Sequence, residues 1–275
     1  MRAAVVGHPI THSLSPAMHR AAYLATGLTG WQYQAFDVNE PDLAGFLARL
    51  EVDQWAGLSL TRPLKQVALG LVDHLEPLAA AVGAVNTVLF GSAGSVGANT
   101  DVHGMVQAAT AAWSKPPALA SAAVLGGGAT AASALAAVAH FGVKQPAVFV
   151  RSTARSGELM RAASRMGLQP QFHRWPQGQS GAWYLADLVV STVPAGVADP
   201  LGAAIANQDL TGRLLLDVAY QPWPSNLAKA WAASGGLVAS GLDMLMYQGA
   251  EQFRLMTGLE PPVAAMMAAL SANNS

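Results

Sequence analysis

Val124-Leu125-Gly126-Gly127-Gly128-Ala129-Thr130-Ala131-Ala132 decides how this chain is read. A strand-length apolar run, Ala122 to Leu125, passes through three glycines into the helix-length run Ala131 to Phe141. Gly126, Gly128 and Ala131 fit the spacing G-x-G-x-x-A. In that spacing the first glycine permits a tight strand-to-helix turn and the second lets backbone amides approach a pyrophosphate with no Cβ between them. The third small residue keeps the helix close to the sheet, and the helix N-terminus adds partial positive charge for the anion. Gly126, Gly127, Gly128, Ala129 and Thr130 are therefore candidate dinucleotide contacts, although glycine-rich turns also occur in other α/β proteins.

The same stretch lies in a segment, Pro116 to Val143, that carries no Asp, Glu, Lys or Arg. It is not read as a membrane span, because the glycines cut it into pieces too short to cross about 30 Å of hydrocarbon. Further apolar runs at Ala147 to Val150, Leu188 to Thr192 and Leu214 to Val218 alternate with segments that can hold helices. That alternation predicts a parallel sheet with crossover helices. A second α/β unit precedes it. Its strand candidates are Ala3 to Val6, Trp31 to Val38, Trp55 to Leu60 and Val85 to Phe90, around helical segments His19 to Thr26 and Pro41 to Leu50. Ser92 to Asn99 reads as a hairpin returning toward Asp101, and the domain junction is placed just after it. After the run Leu237 to Ser240, two terminal helices are expected, Asp243 to Leu255 and Val263 to Leu270, separated by Pro261-Pro262.

Composition narrows the function. The 275 residues are 52% hydrophobic and 11% charged, long enough for about two domains at roughly 150 residues each. A net charge of -1 with no basic block argues against nucleic acid. The absence of cysteine excludes disulfides, thiolate metal sites and a cysteine nucleophile. The apolar run after Met1 stops at Gly7-His8-Pro9, well short of a signal-peptide core, so a cytoplasmic protein is expected. His8, His12, His19 and His103 lack neighbouring acidic ligands, and no metal site is expected.

The end of the strand after the glycine loop selects a cofactor. An NAD enzyme usually places an acidic residue there for the adenosine ribose. Val150-Arg151-Ser152-Thr153-Ala154-Arg155 offers none. Arg151 and Arg155 can flank a 2′-phosphate, which favours NADP; the alternative is that both are solvated surface cations. Lysine occurs only at Lys65, Lys115, Lys144 and Lys229. Lys65 alone has a special setting, in Gly57-Leu58-Ser59-Leu60-Thr61-Arg62-Pro63-Leu64-Lys65, a strand running into a turn. Asn86 and Asp101 stand at the ends of strand-like runs. Taken singly, residues of these types are more often surface groups or turn caps.

Together these segments resemble the shikimate and quinate dehydrogenases. The resemblance rests on Gly7-His8-Pro9-Ile10 with His12-Ser13-Leu14-Ser15-Pro16 and His19, on Gly57 to Lys65, Gly83 to Thr87, Asn99 to Gly104 and the glycine loop. It continues through Ser191 to Pro194, Asp217 to Pro222, and Gly241 to Leu245 with Gln248, in order along nearly the whole chain. It implies an α/β protein of two domains: a substrate domain from residues 1–101 and 237–275, completed by the C-terminal helices, and an inserted Rossmann-like NADP domain over 102–236. It also implies the reversible NADPH-dependent reduction of 3-dehydroshikimate to shikimate. Lys65 and Asp101 would be the catalytic pair, with Ser13, Ser15, Thr61, Asn86, Tyr220 and Gln248 around the substrate. Arg151, Ser152, Arg155, Thr192, Val218, Gly241 and Met244 would join the glycine loop at the cofactor.

The chemistry agrees, because a hydride reaching a ketone leaves an alkoxide that needs a proton, and a lysine held against an aspartate can give and retake one. Ser15 before Pro16 also suits a helix cap. Ser59 departs from the usual asparagine, Ala129 from a loop glycine, Val150 from asparagine and Ser152 from threonine. The alternatives are a quinate/shikimate dehydrogenase using NAD, and a non-catalytic dinucleotide-sensing binding protein. The expected partner is a small-molecule substrate, with no nucleic acid or membrane, in a monomer or homodimer.

Overall fold

The two sets of strands form two separate six-stranded sheets in a computed structural model that describes residues 1–113, 118–175 and 182–273, the side chain of Arg155 excepted. Lys115 therefore lies outside the described residues. The chain divides into two compact units, Met1–Asp101 with Leu245–Ser275, and Val102–Met244.

In the first unit, β1 (Arg2–Gly7), α1 (Ser15–Ala25), β2 (Gln32–Asp37), α2 (Leu43–Ala48) and β3 (Trp55–Leu60) are followed by β4 (His74–Leu75), α3 (Pro77–Val82), β5 (Thr87–Gly91) and β6 (Gly94–Ala98). The sheet order is β2-β1-β3-β5-β6-β4. β1 pairs in parallel with β2 and β3, whereas β5 runs antiparallel to β3 and forms the expected hairpin with β6. Val6, Leu58, Leu60, Leu64, Val85 and Val88 fill one core.

The inserted unit, entered through α4 (Asp101–Trp113), which begins on the last residue of the segment Met1–Asp101, runs through β7 (Ala122–Leu125), α5 (Ala129–His140), β8 (Ala147–Val150), α6 (Gly157–Arg165) and β9 (Gln171–Arg174). It continues through β10 (Leu188–Ser191), β11 (Leu214–Asp217), α7 (Asn226–Ala233) and β12 (Leu237–Ser240). The order β12-β11-β10-β7-β8-β9 is parallel throughout, which read from the other edge is the 3-2-1-4-5-6 order of a dinucleotide-binding fold. β7, β10 and β11 are buried along their whole length, as strands covered on both faces must be, and so read as unbroken apolar runs. Helices α8 (Gly241–Thr257) and α9 (Val263–Asn273) follow, the latter packed against α1.

Three local readings change. Helix α1 begins four residues before His19, and its N-cap is Leu14, whose carbonyl accepts the Met18 N–H at 3.2 Å. Ser15 is thus the first helical residue and makes no capping bond: Pro16, with no N–H to satisfy, is accommodated at the second position. Asp101 opens a helix, α4, and does not end a strand, because β6 stops at Ala98. The second crossing between units falls at Met244/Leu245, later than Leu237, because β12 extends the second sheet by pairing with β11. At the start of α8, Ser240 and Asp243 exchange bonds, the Asp243 carboxylate accepting the Ser240 N–H at 3.0 Å and the Ser240 hydroxyl accepting the Asp243 N–H at 3.1 Å. Sequence shows this capping box as Ser-x-x-Asp before an apolar run.

His19 is fully buried and stacked on Tyr33, with ring centroids 4.2 Å apart. Neither ring nitrogen has a hydrogen bond of normal geometry, and burial lowers its pKa to about 3, the Gln252 side chain opposing only in part. The unfolded chain therefore binds a proton near pH 6.5 that the folded chain refuses, so stability is full above that pH and falls as pH drops toward 3. Replacing His19 with Phe should flatten this loss. Between about pH 7 and pH 5 the wild type should lose on the order of 2 kcal/mol more than His19→Phe in urea titrations; parallel losses would show that His19 is not held neutral.

Candidate active site

Strand β3 delivers Thr61 and then, one turn on, Lys65, because the Thr61 carbonyl accepts the Leu64 N–H at 2.9 Å and closes the turn. The Lys65 carbonyl takes the Val85 N–H at 2.7 Å, tying the lysine to the segment that enters β5. Lys65 Nζ then lies 2.6 Å from Asp101 Oδ2, with the lysine side chain 14% and the aspartate 4% exposed. The other carboxylate oxygen, Oδ1, accepts from Asn86 Nδ2 at 2.8 Å. Both oxygens of a buried carboxylate are thus engaged, while the ammonium, with three protons, has committed one to Asp101. A partly open ammonium beside a fixed carboxylate can pass a proton to an oxygen brought within hydrogen-bond reach.

Asn86 is held from several sides. Its Oδ1 accepts the Thr100 backbone N–H at 2.7 Å and the Thr87 hydroxyl at 2.9 Å, and its Nδ2 also points toward Gln248 Oε1 at 3.3 Å. Of the residues expected around a substrate, Lys65, Asp101, Asn86 and Gln248 share this network. Ser13, whose N–H bonds the Ile10 carbonyl, is half-buried, and Ser15 is buried. Thr61 packs its methyl where any side chain on Gly7 would stand, 2.3 Å away. Tyr220 belongs to the other unit, is half-buried, and has its phenol pKa raised by burial. Sequence reading missed the hydroxyls of Thr87 and Thr100 and the amide of Gln252. Gln252 had a signal, since it lies one helical turn beyond Gln248 and shares its face.

In the inserted unit the glycine loop crosses the point where strand order reverses, between β7 and β10. Gly126 has φ +126, and a Cβ there would meet Thr192 Oγ1 at 2.2 Å. Thr192 is fixed by donating to the Leu125 carbonyl at 2.9 Å. Gly128 caps α5, and no atom lies within 4 Å of where its Cβ would stand. No side chain caps this helix, so its first-turn N–H groups face an open cradle suited to a pyrophosphate. Gly127 completes the turn, and Ala129 and Thr130 are the first residues of α5. Arg151 is exposed and Ser152 half-buried just past β8, where no carboxylate stands; the Arg155 side chain lies outside the described residues. These residues fit a 2′-phosphorylated dinucleotide. Val218 donates its N–H to the Ser191 carbonyl, and a Cβ on Gly241 would lie 2.2 Å from Val218 O, so Gly241 is required by backbone contact. Met244 and Gln248, four apart on α8, are both buried. Among the described residues no three His, Asp or Glu side chains are grouped to hold a metal ion.

Residues 5–88 match the shikimate dehydrogenase substrate binding domain, and residues 241–270 the shikimate 5'-dehydrogenase C-terminal domain. The NADP(+) shikimate dehydrogenase of Moorella thermoacetica is 36% identical over 96% of this chain and 90% of that protein. The shikimate 5-dehydrogenase of Thermus thermophilus, solved with NADP(H) and shikimate, superposes with a TM-score of 0.83 at 33% identity, covering 99% of both chains. The quinate dehydrogenase of Corynebacterium glutamicum, solved with NAD, gives 0.86 at 27% identity, again over 99% of both chains. With a Lys–Asp–Asn network in one unit, a dinucleotide cradle in the other and this likeness end to end, the chain belongs to the shikimate dehydrogenase family.

Proposed function

We infer that this protein is an NADP-dependent shikimate dehydrogenase, catalysing the reversible reduction of 3-dehydroshikimate to shikimate on the route to aromatic amino acids. The observation that carries the reading of its site is the 2.6 Å contact between Lys65 Nζ and Asp101 Oδ2, backed by Asn86. NADPH, when bound, supplies the hydride. Lys65 gives a proton to the oxygen on which negative charge develops, and Asp101 holds the ammonium in place and accepts a substrate hydroxyl. Asn86 and Gln248 present further amide groups for substrate hydroxyls. The Ser13 and Ser15 hydroxyls, at the entry to α1, receive the substrate carboxylate, with Thr61 and Tyr220 as further substrate contacts.

Residues 1–101 with the C-terminal helices bind substrate, and the inserted unit binds NADP. Gly126 to Thr130 and the α5 N-terminus take the pyrophosphate, Arg151, Ser152 and Arg155 the adenosine 2′-phosphate, with Thr192, Val218, Gly241 and Met244 lining the nicotinamide side. Among the described residues no helix is long and apolar enough to cross a membrane. The protein works in the cytoplasm as a monomer or homodimer. An NAD-dependent quinate enzyme is disfavoured because the end of β8 carries arginine where that cofactor calls for a carboxylate.

Two outcomes test this. NADP should exceed NAD by at least about tenfold in kcat/KM with shikimate, worth roughly 1.4 kcal/mol, and Arg151→Ala should weaken NADP far more than NAD. Equal use of both cofactors, or quinate proving the better substrate, would overturn the assignment. Lys65→Ala should lower kcat by about 10² to 10⁴ while NADP affinity, measured by fluorescence titration, moves less than about threefold. A variant keeping more than about a third of wild-type kcat, with hydride transfer limiting, would mean that another group supplies the proton.

A further inference from the structure

Behind Asn86 lies a buried chain of side chains that the reaction as described does not use. Tyr33 OH is 2.6 Å from Ser59 Oγ, and Ser59 Oγ is 2.7 Å from Gln252 Oε1. Gln252 Nε2 is 2.9 Å from Thr87 Oγ1 and 3.2 Å from the Asn86 carbonyl. Thr87 Oγ1 is 2.9 Å from Asn86 Oδ1. Tyr33, Ser59, Thr87, Asn86 and Gln252 are all buried, so no water competes for these bonds. The His19 ring, held neutral, also faces the Gln252 side chain.

The direction of each bond follows from two fixed anchors. At one end the Asn86 main-chain oxygen can only accept, so the amide nitrogen of Gln252 faces it and the amide oxygen faces Ser59. Ser59 must then donate to Gln252, and with its single proton so engaged, it accepts from Tyr33. Burial raises the Tyr33 phenol pKa, which keeps that proton in place. At the other end the Thr100 backbone N–H can only donate, so Asn86 Oδ1 faces it and Nδ2 faces the Asp101 carboxylate. Thr87, accepting from Gln252, donates its hydroxyl hydrogen bond to Asn86 Oδ1. Five successive bonds therefore point one way, from Tyr33 to Asp101, and bonds aligned head to tail strengthen one another.

We propose that Gln252 is a positioning residue of the reaction: through Thr87 it sets the orientation and donor strength of the Asn86 amide, and through Asn86 the carboxylate that holds Lys65. Ser59 is what fixes Gln252. The short serine at that position leaves room for Tyr33 OH and the Gln252 amide to meet on one hydroxyl. This rests on the reading of Lys65 and Asp101 as the proton-transfer pair. The hydrogen bonds of Gln252 run to Ser59, Thr87 and the Asn86 carbonyl, so it acts on the pair through other residues.

The test is steady-state shikimate oxidation by the full chain with NADP, across pH, for Gln252→Met, Thr87→Val and the double variant. Gln252→Met keeps length and apolar volume and adds no charge. Each single change should lower kcat about fivefold or more with NADP KM within about twofold, and the double should be no worse than the poorer single by more than about twofold, because both cut one chain. The pH at which kcat is half-maximal should also move, which a simple loss of folded enzyme cannot produce. An unchanged kcat with an unmoved profile, or losses that multiply with an unmoved profile, would overturn the proposal. Should Gln252→Met fail to fold, Thr87→Val is judged alone on kcat and profile. Lys65→Ala run alongside separates the two readings: if it is inactive while Gln252→Met behaves as wild type, only the positioning role falls, whereas an active Lys65→Ala removes the proton-transfer pair itself.

Discussion

Asp101 places a carboxylate where almost no water reaches it, at the first residue of α4. A charge there is tolerable only when its oxygens are paired, and removing one partner of such a pair is far more damaging than the pair is stabilising. Lys65 takes one oxygen and Asn86 the other. That requirement reaches outward. Asn86 must present its nitrogen, so its oxygen must be occupied by Thr100 and Thr87. The Lys65 and Asn86 backbones must then be joined to the sheet, as they are through Val85 N–H to Lys65 O and Leu60 N–H to Asn86 O. The antiparallel β3–β5 pairing brings the turn after β3 and the entry to β5 side by side, which neither strand could do alone.

The inserted unit meets a different constraint, close approach of backbone to backbone. At Gly126 the left-handed φ and the Thr192 hydroxyl leave no space for a side chain. The result is a turn tight enough to aim the uncapped start of α5 outward at the reversal of strand order. The two units thus present two kinds of chemistry, side-chain charge in one and bare main-chain N–H groups in the other.

The parallel sheet was legible because β7, β10 and β11 are apolar from end to end, and the loop because its glycines stand at a spacing with a mechanical meaning. Lys65 stood out by the scarcity of its type and by Pro63 before it. What was hidden depended on contacts between residues far apart in sequence. Ser15 looked like a cap because serine before proline so often is one, yet the cap is Leu14. Asp101 looked like a strand end because Gly97 and Ala98 precede it in an extended run, and only the structure shows α4 starting there. Gln252 is 166 positions from the carbonyl it donates to, and no local pattern marks such a pair. The two-residue β4 and the short β9 carry too few apolar residues to announce a strand.

The first unit is discontinuous in sequence, its last helix and most of α8 arriving after the whole inserted unit. On a ribosome, where chains emerge from the N-terminus, β1 to β6 are exposed long before Gln248 and Gln252 exist. The Ser59 and Thr87 hydroxyls must therefore wait for the Gln252 amide while the intervening segment is made. A chain cut within α8 after Met244 would keep every residue of the inserted unit and lose those that close the interior of the first, so the two units are unequally exposed to damage at the C-terminal end.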